Sequence, residues 1–189
     1  LGERGVRNAW VFQDDAERMQ FSAHEFDRVR ADRVVQHMRT PQVALAEMWR
    51  VLRPGGKLTV IEPDWGMIAV FPASASGGDD DTAFRQILEW CRRHLAHPYI
   101  GRQLLALLRH VGASAWAEVR VAVETFTYTS WPECDAVLRL SQAATMLRQE
   151  NPSASGELDG WLTAVETASE RGDFFAAVPL FFAYAMRAT

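Results

Sequence analysis

The chain has 189 residues, 48% of them hydrophobic and 23% charged, with a formal net charge of −4. That size and balance predict one globular domain, and the negative charge argues against nucleic acid as an obligatory partner. Two cysteines, Cys91 and Cys134, imply no disulfide framework and suit a reducing cytoplasm; no apolar run of about 18 residues predicts a membrane span, and the opening LGERG lacks a signal-peptide pattern.

Residues 1–7 read as a loop or the tail of a helix. Residues 8–12 (NAWVF) are a strand candidate, and 14–19 a loop with a helical turn. Residues 26–31 end in an apolar-polar alternation that suits a short strand. Thr40-Pro41 marks a helix start, because proline at the first helical position gives up only an amide that is unpaired there anyway. Leu45, Met48, Trp49 and Leu52 then share one face by three-four spacing, which assigns Trp49 to the core. Arg50 and Arg53 favour the negative end of the helix dipole. Pro54-Gly55-Gly56 stops the helix and turns the chain. Residues 58–61 (LTVI) suit a buried parallel strand, so strand, helix and strand make one βαβ unit, right-handed by default.

Further on, residues 66–81 are rich in glycine, serine and aspartate and read as a mobile loop. Residues 82–96 and 101–111 have helical patterns, with Gly112 as a C-terminal cap. Residues 115–126 alternate around Val119, Val121 and Val123 as a half-buried strand. Residues 131–150 and 157–171 read as two helices separated by NPSASG, and 174–187 hold the last strand. Pro179 has no amide for a ladder, so the ordered strand is expected mainly over 180–186, with Pro179 at a bulge or strand start.

Three stretches carry a resemblance. They are QDDAERMQF at 13–21, FDRV at 26–29 and RVLRPGG at 50–56. In this order and at this spacing they resemble the second half of a class I S-adenosylmethionine-dependent methyltransferase domain of the small-molecule type. The likeness is firm over residues 6–65 and looser beyond. It implies an α/β fold, a Rossmann-like sheet of strand order 3-2-1-4-5-7-6 that here lacks its first two strands. It also implies helical lid insertions, at 66–100 and 129–173, within a single domain. The family's glycine-rich cofactor loop has no counterpart: the glycine pairs are Gly55-Gly56 and Gly77-Gly78, and neither lies between a strand and a helix in the needed order. The chain is therefore expected to be the C-terminal part of a longer protein. A missing N-terminal segment, or a second copy in a homo-oligomer, would then complete the sheet, and residues 8–12 should not lie beside 26–31.

The resemblance implies S-adenosyl-L-methionine as cofactor and a small-molecule acceptor. Asp15 and Ala16 fall on the pair that would hold the adenine edge, although Asp14-Asp15 also suits a turn by itself. Ala31, Asp32 and Arg33 end a strand at its carboxyl side, where ligands of such sheets bind; the other reading of Asp32 and Arg33 is a surface ion pair. Gln36 follows in the same cofactor loop. His37 has the chemistry of a general base for a hydroxyl acceptor, or it packs behind the loop. Trp65, Phe71, Tyr99 and Trp131 are candidate substrate-binding aromatics, against ordinary helix packing. His94 and His97 have no evident third ligand, so no metal is expected. The function expected is methyl transfer to a hydrophobic metabolite of secondary metabolism. The alternative, from another class, is a non-methylating binding protein or cyclase on the same scaffold.

Overall fold

The computed structural model describes residues 8–74, 81–111 and 116–189. Phe26–Asp32 forms β1 and Leu52–Pro63 forms β2. They run parallel, Ala31 opposite Val60 and Asp32 opposite Ile61, and α1 (Pro41–Val51) joins them as the βαβ pattern predicts. Thr40 and Pro41 open α1, and the Thr40 amide donates to the Glu17 carboxylate at 2.9 Å, satisfying a donor that the helix itself cannot. At its other end Arg50 binds Glu47 and donates to the carbonyls of Met19 and Phe21 at 3.1 and 2.9 Å, which clamps the preceding segment onto the helix. The helix ends at Val51 and β2 starts at Leu52, before the expected 58–61, so Pro54-Gly55-Gly56 lies within the strand, where its pairing with β1 shifts register and Gly55 stands at φ +73, a conformation that costs glycine nothing.

β5 (Phe175–Arg187) is the centre of the five-stranded sheet. β3 (Ala69–Phe71) and β2 pair in succession along one of its edges, and β4 (Trp116–Tyr128) covers the other, all antiparallel to it. The strand is continuous through Pro179, a correction to the shorter one expected. The pairing accommodates it: β2 ends opposite Leu180 and β3 begins opposite Ala177, so Pro179 has no ladder partner on that edge, while on the other it lies opposite Thr125 of β4. β3 also lies inside the stretch expected to be a loop; residues 75–80 of that stretch, the loop or helix tail expected at 1–7 and the Gly112 cap lie outside the described residues.

Two cores result. α1 and α3 (Ile100–His110) cover one face over Ala31, Leu58, Val60, Ala183 and Ala185. A Cβ on Gly101 would meet the Phe181 ring at 2.7 Å and the Pro63 carbonyl at 2.9 Å, so only glycine lets α3 seat on β2 and β5. The second core gathers α2 (Thr82–His94), α4 (Trp131–Leu138), α5 (Leu140–Glu150) and α6 (Ser155–Arg171) around Trp161, Phe174, Ala176 and Val178. The single helix expected over 131–150 is two, because Arg139 turns left-handed at φ +58. Asp135 fixes that break: its carbonyl accepts the Arg139 amide at 2.9 Å and its carboxylate accepts the Ser141 amide at 2.8 Å.

The strand expected at residues 8–12 does not form. Trp10, Val11 and Phe12 are 75, 81 and 67% exposed, and among the described residues nothing pairs with the outer edge of β1. Aromatic contacts take the place of a ladder: Phe12 packs edge-on against Phe21, and Phe21 against Phe26, with ring centroids at 5.9 and 4.9 Å.

Candidate functional site

A cavity of about 820 Å³ opens where the carboxyl ends of β1 and β2 meet the helical layer. Asp32, Arg33, Gln36 and His37 come to it from the end of β1, Pro63 and Trp65 from the end of β2. Leu180, Phe182 and Phe126 supply an apolar wall from β5 and β4, and Leu138 and Arg139 close it from the α4–α5 break. Ligands of parallel α/β sheets bind at this end of the strands.

The loop after β1 is held from beneath by Glu62, which is fully buried. Its Oε1 accepts the amides of Val34 at 2.9 Å and Val35 at 2.6 Å, and so fixes the short 3-10 turn Val35–His37. Its Oε2 has no hydrogen-bond partner among the described residues. Burial pushes the Glu62 carboxyl up to about 7; the backbone amides oppose that rise and the charge of Asp32 adds to it.

Gln36 is 5% exposed. Its Oε1 accepts from Trp65 Nε1 at 3.1 Å, and its carbonyl accepts the His97 amide at 3.0 Å. Indole nitrogen only donates, so the Gln36 oxygen must face Trp65 and the amide nitrogen is left for the cavity. Among the described residues that nitrogen has no partner. His37 is exposed and lies on the wall between this cavity and a neighbouring hollow lined by Trp90, His94 and Leu95. Asp32 binds both Arg30 at 2.7 Å and Arg33 at 3.2 Å, so the surface pair and the place at the cavity coexist.

Among the described residues three non-glycine residues have left-handed backbones: His24, Arg33 and Arg139. That conformation costs an ordinary residue about 1 kcal/mol. Two of the three, Arg33 and Arg139, line this one cavity. Arg33 is kept there by its amide, which donates to the Ile61 carbonyl at 2.8 Å.

The other expected residues lie elsewhere. Ala31 is buried under α1. Asp15 and the half-buried Ala16 sit in a tight turn whose hollow, lined by Gln13, Asp14, Asp15, Arg18 and Gln20, shares no residue with the cavity. Asp15 Oδ1 accepts the Glu17 amide at 2.9 Å; its Oδ2 has no partner among the described residues. Tyr99 lies under the Arg102 guanidinium, 5.1 Å from its ring centroid, and Arg102 is paired with the buried Asp64. Trp131 is 5% exposed and packs edge-on against Trp161 and Phe174. Phe71 is half exposed over a separate hollow beside α6. Trp49 is partly buried against the α1–α3 core. His94 stacks on Trp90, and no group of three or more metal-ligating side chains exists among the described residues. Burial pushes the Cys91 and Cys134 thiols up to about 11, which removes both as nucleophiles near neutral pH.

Sequence reasoning missed Arg30, Phe126, Arg139, Leu180 and Phe182 in the cavity wall. The strand residues had a usable signal, since a period of two puts Leu180 and Phe182 on one face. Arg139 had none, because no glycine or proline marks its break.

Residues 2–60 match the family model described as a methyltransferase domain. The chain is 32% identical over 165 residues to a 37.1 kDa protein in transposon Tn4556 of Streptomyces fradiae, an alignment that covers 82% of this chain and 41% of that protein. It is 37% identical over 92 residues to the ubiquinone/menaquinone biosynthesis C-methyltransferase UbiE of Bordetella parapertussis, covering 42% of this chain and 36% of the enzyme. The chain thus spans less than half the length of these curated relatives. In fold it is similar to the crystal structure of a methyltransferase candidate from Bacillus halodurans, with a TM-score of 0.57, 19% identity, and coverage of 100% of this chain and 75% of that one. A candidate methyltransferase from an antibiotic biosynthesis pathway of Anabaena variabilis gives a TM-score of 0.54 at 16% identity, covering 92 and 72%.

Proposed function

We propose that this chain is part of a class I S-adenosylmethionine-dependent methyltransferase and takes part in methyl transfer to a small hydrophobic acceptor held in the cavity at the ends of β1 and β2. The observation that carries the reading is that Gln36, His37 and Trp65 converge there on an apolar wall.

The described residues fit the cofactor at two places. The unpartnered Oδ2 of Asp15 is an acceptor suited to an exocyclic amine, and the strand-end loop of Asp32, Arg33 and Gln36 would lie beneath the methionine end. Among the described residues no strand, glycine-rich turn and helix follow one another to hold the ribose and carboxylate. When bound, S-adenosylmethionine supplies an electrophilic methyl group. The chain's own part is orientation: Glu62 sets the loop, Gln36 and Trp65 lock each other, and the helical layer over 129–173 acts as a lid that keeps water from the acceptor. His37, exposed at the cavity wall, takes the proton of a hydroxyl acceptor.

The test is calorimetric titration of S-adenosylmethionine into the full chain and into Asp15→Ala. Loss of the acceptor should weaken binding by about 1–3 kcal/mol. Equal affinity would take Asp15 out of the site.

A further inference from the structure

The cavity has a chemical polarity of its own. Phe126 and Phe182 stack at 6.5 Å between centroids and, with Leu180 and Ile61, make one side apolar. Its charged groups are Arg30, Asp32, Arg33 and Arg139. Asp32 is shared between Arg30 and Arg33, so that trio keeps one positive charge. Arg139 has no partner among the described residues and adds a second.

The two arginines stand where the backbone would be most at ease with glycine, at φ +54 and +58. They come from separate elements, one after β1 and the other between α4 and α5, and both line one cavity. Gln36 adds the independent sign of a ligand. It is a buried amide whose oxygen is committed to Trp65, and its donor is left for the cavity. Two cations and an amide donor at an apolar hollow select a molecule with a greasy body and an anionic oxygen group; a neutral ligand would waste the charge and a cationic one would be repelled.

We infer that the cavity binds an apolar carboxylic acid, its body against Phe126, Phe182 and Leu180 and its carboxylate on Arg33 and Arg139, with Gln36 donating to an oxygen. The inference rests on the proposed function only for the chemistry after binding; the binding needs no cofactor and no turnover. The cofactor's own carboxylate is the competing source of the same chemistry.

The test is titration of the full chain with decanoate, decanol and decyltrimethylammonium, each below its micelle concentration, without S-adenosylmethionine. Decanoate should bind about tenfold tighter than decanol, as charge-assisted hydrogen bonds require, and the ammonium should be weakest. Arg139→Gly suits the left-handed backbone, so the fold is retained while the charge goes. It should erase the preference for decanoate and leave decanol within about threefold, and Arg139→Lys should restore part of it. Arg33→Gly is a second variant of the same design. Equal binding of decanoate and decanol, or a preference that survives both glycine variants, overturns the inference. So does the cofactor outcome, in which S-adenosylhomocysteine displaces decanoate and Arg139→Gly weakens S-adenosylhomocysteine about as much. Failure of methyl transfer with decanoate binding intact would count against the proposed function and leave the acid site standing.

Discussion

Glu62 accepts the Val35 amide at 2.6 Å through one carboxylate oxygen while the other, equally buried, has no partner among the described residues. One side chain from β2 therefore holds the loop that carries Gln36 and His37, and does so at an electrostatic cost. Burial raises its folded pKa to about 7 from the ordinary 4.5. Between those values the folded chain binds more protons than the unfolded one, so this group's contribution to stability falls as pH rises from about 4.5 to about 7 and is flat above. The full effect is at most about 3 kcal/mol. Glu62→Gln keeps a carbonyl oxygen for both amides and removes the charge. It should raise the urea midpoint above about pH 7 and flatten the slope below it. A slope unchanged in the variant would assign the pH dependence to other groups.

A second expectation concerns the last strand. Arg187 Nη1 donates to the carbonyls of Trp49 at 2.9 Å and Leu52, and its guanidinium lies 3.7 Å from the Trp49 ring centroid. These carbonyls end α1, so one cation closes the helix and pins it to β5. Arg187→Met keeps much of the packing and loses the donors. It should cost about 2–3 kcal/mol by chemical denaturation, with Tm falling in step. A loss under about 0.5 kcal/mol would mean that water satisfies those carbonyls as well.

A third expectation separates chemistry from scaffold. His37→Ala should lower turnover about 100-fold while leaving S-adenosylmethionine affinity nearly intact. If affinity and turnover fall together, or neither moves, His37 belongs to the packing of the loop. Gln36→Leu is the companion variant: it breaks the Trp65 hydrogen bond and should loosen both walls of the cavity, raising KM more than it lowers kcat.

What was legible in the sequence was local. The first strand, α1 and the apolar part of β2 announce themselves by periodicity and by Thr40-Pro41, because each signal acts within a few residues, whereas Pro54-Gly55-Gly56, expected to end the helix, lies inside β2. The centrality of β5 was not legible. It depends on Leu58 finding Ala185 across more than a hundred residues, and no short-range pattern encodes such a partner. Arg139 shows the same limit at smaller scale: an arginine in a helical pattern gives no warning of a left-handed break, which Asp135 and Ser141 impose by hydrogen bonding. In the site, strand-end residues could be placed by the rule for such sheets, but Trp131 could not. Its aromatic surface served the helical core, and only the packing of Trp161 and Phe174 against it decides that. Glu62 has no signal in the sequence, since its unpaired oxygen is a property of the folded surroundings alone.

The strand pair β2 and β5 has a consequence for how such a chain diversifies. Everything from β3 to α6 is an excursion whose two ends are anchored on adjacent strands. Lengthening an excursion of that kind is cheap, about 0.6 kcal/mol of closure entropy for each doubling. Its helices other than α3, namely α2, α4, α5 and α6, carry their own core around Trp161, largely separate from the one under α1 and α3. The helical layer is thus a transplantable cassette: it can be exchanged or rebuilt to suit a new guest while the hydrogen-bonded strands that present Gln36 and His37 stay as they are.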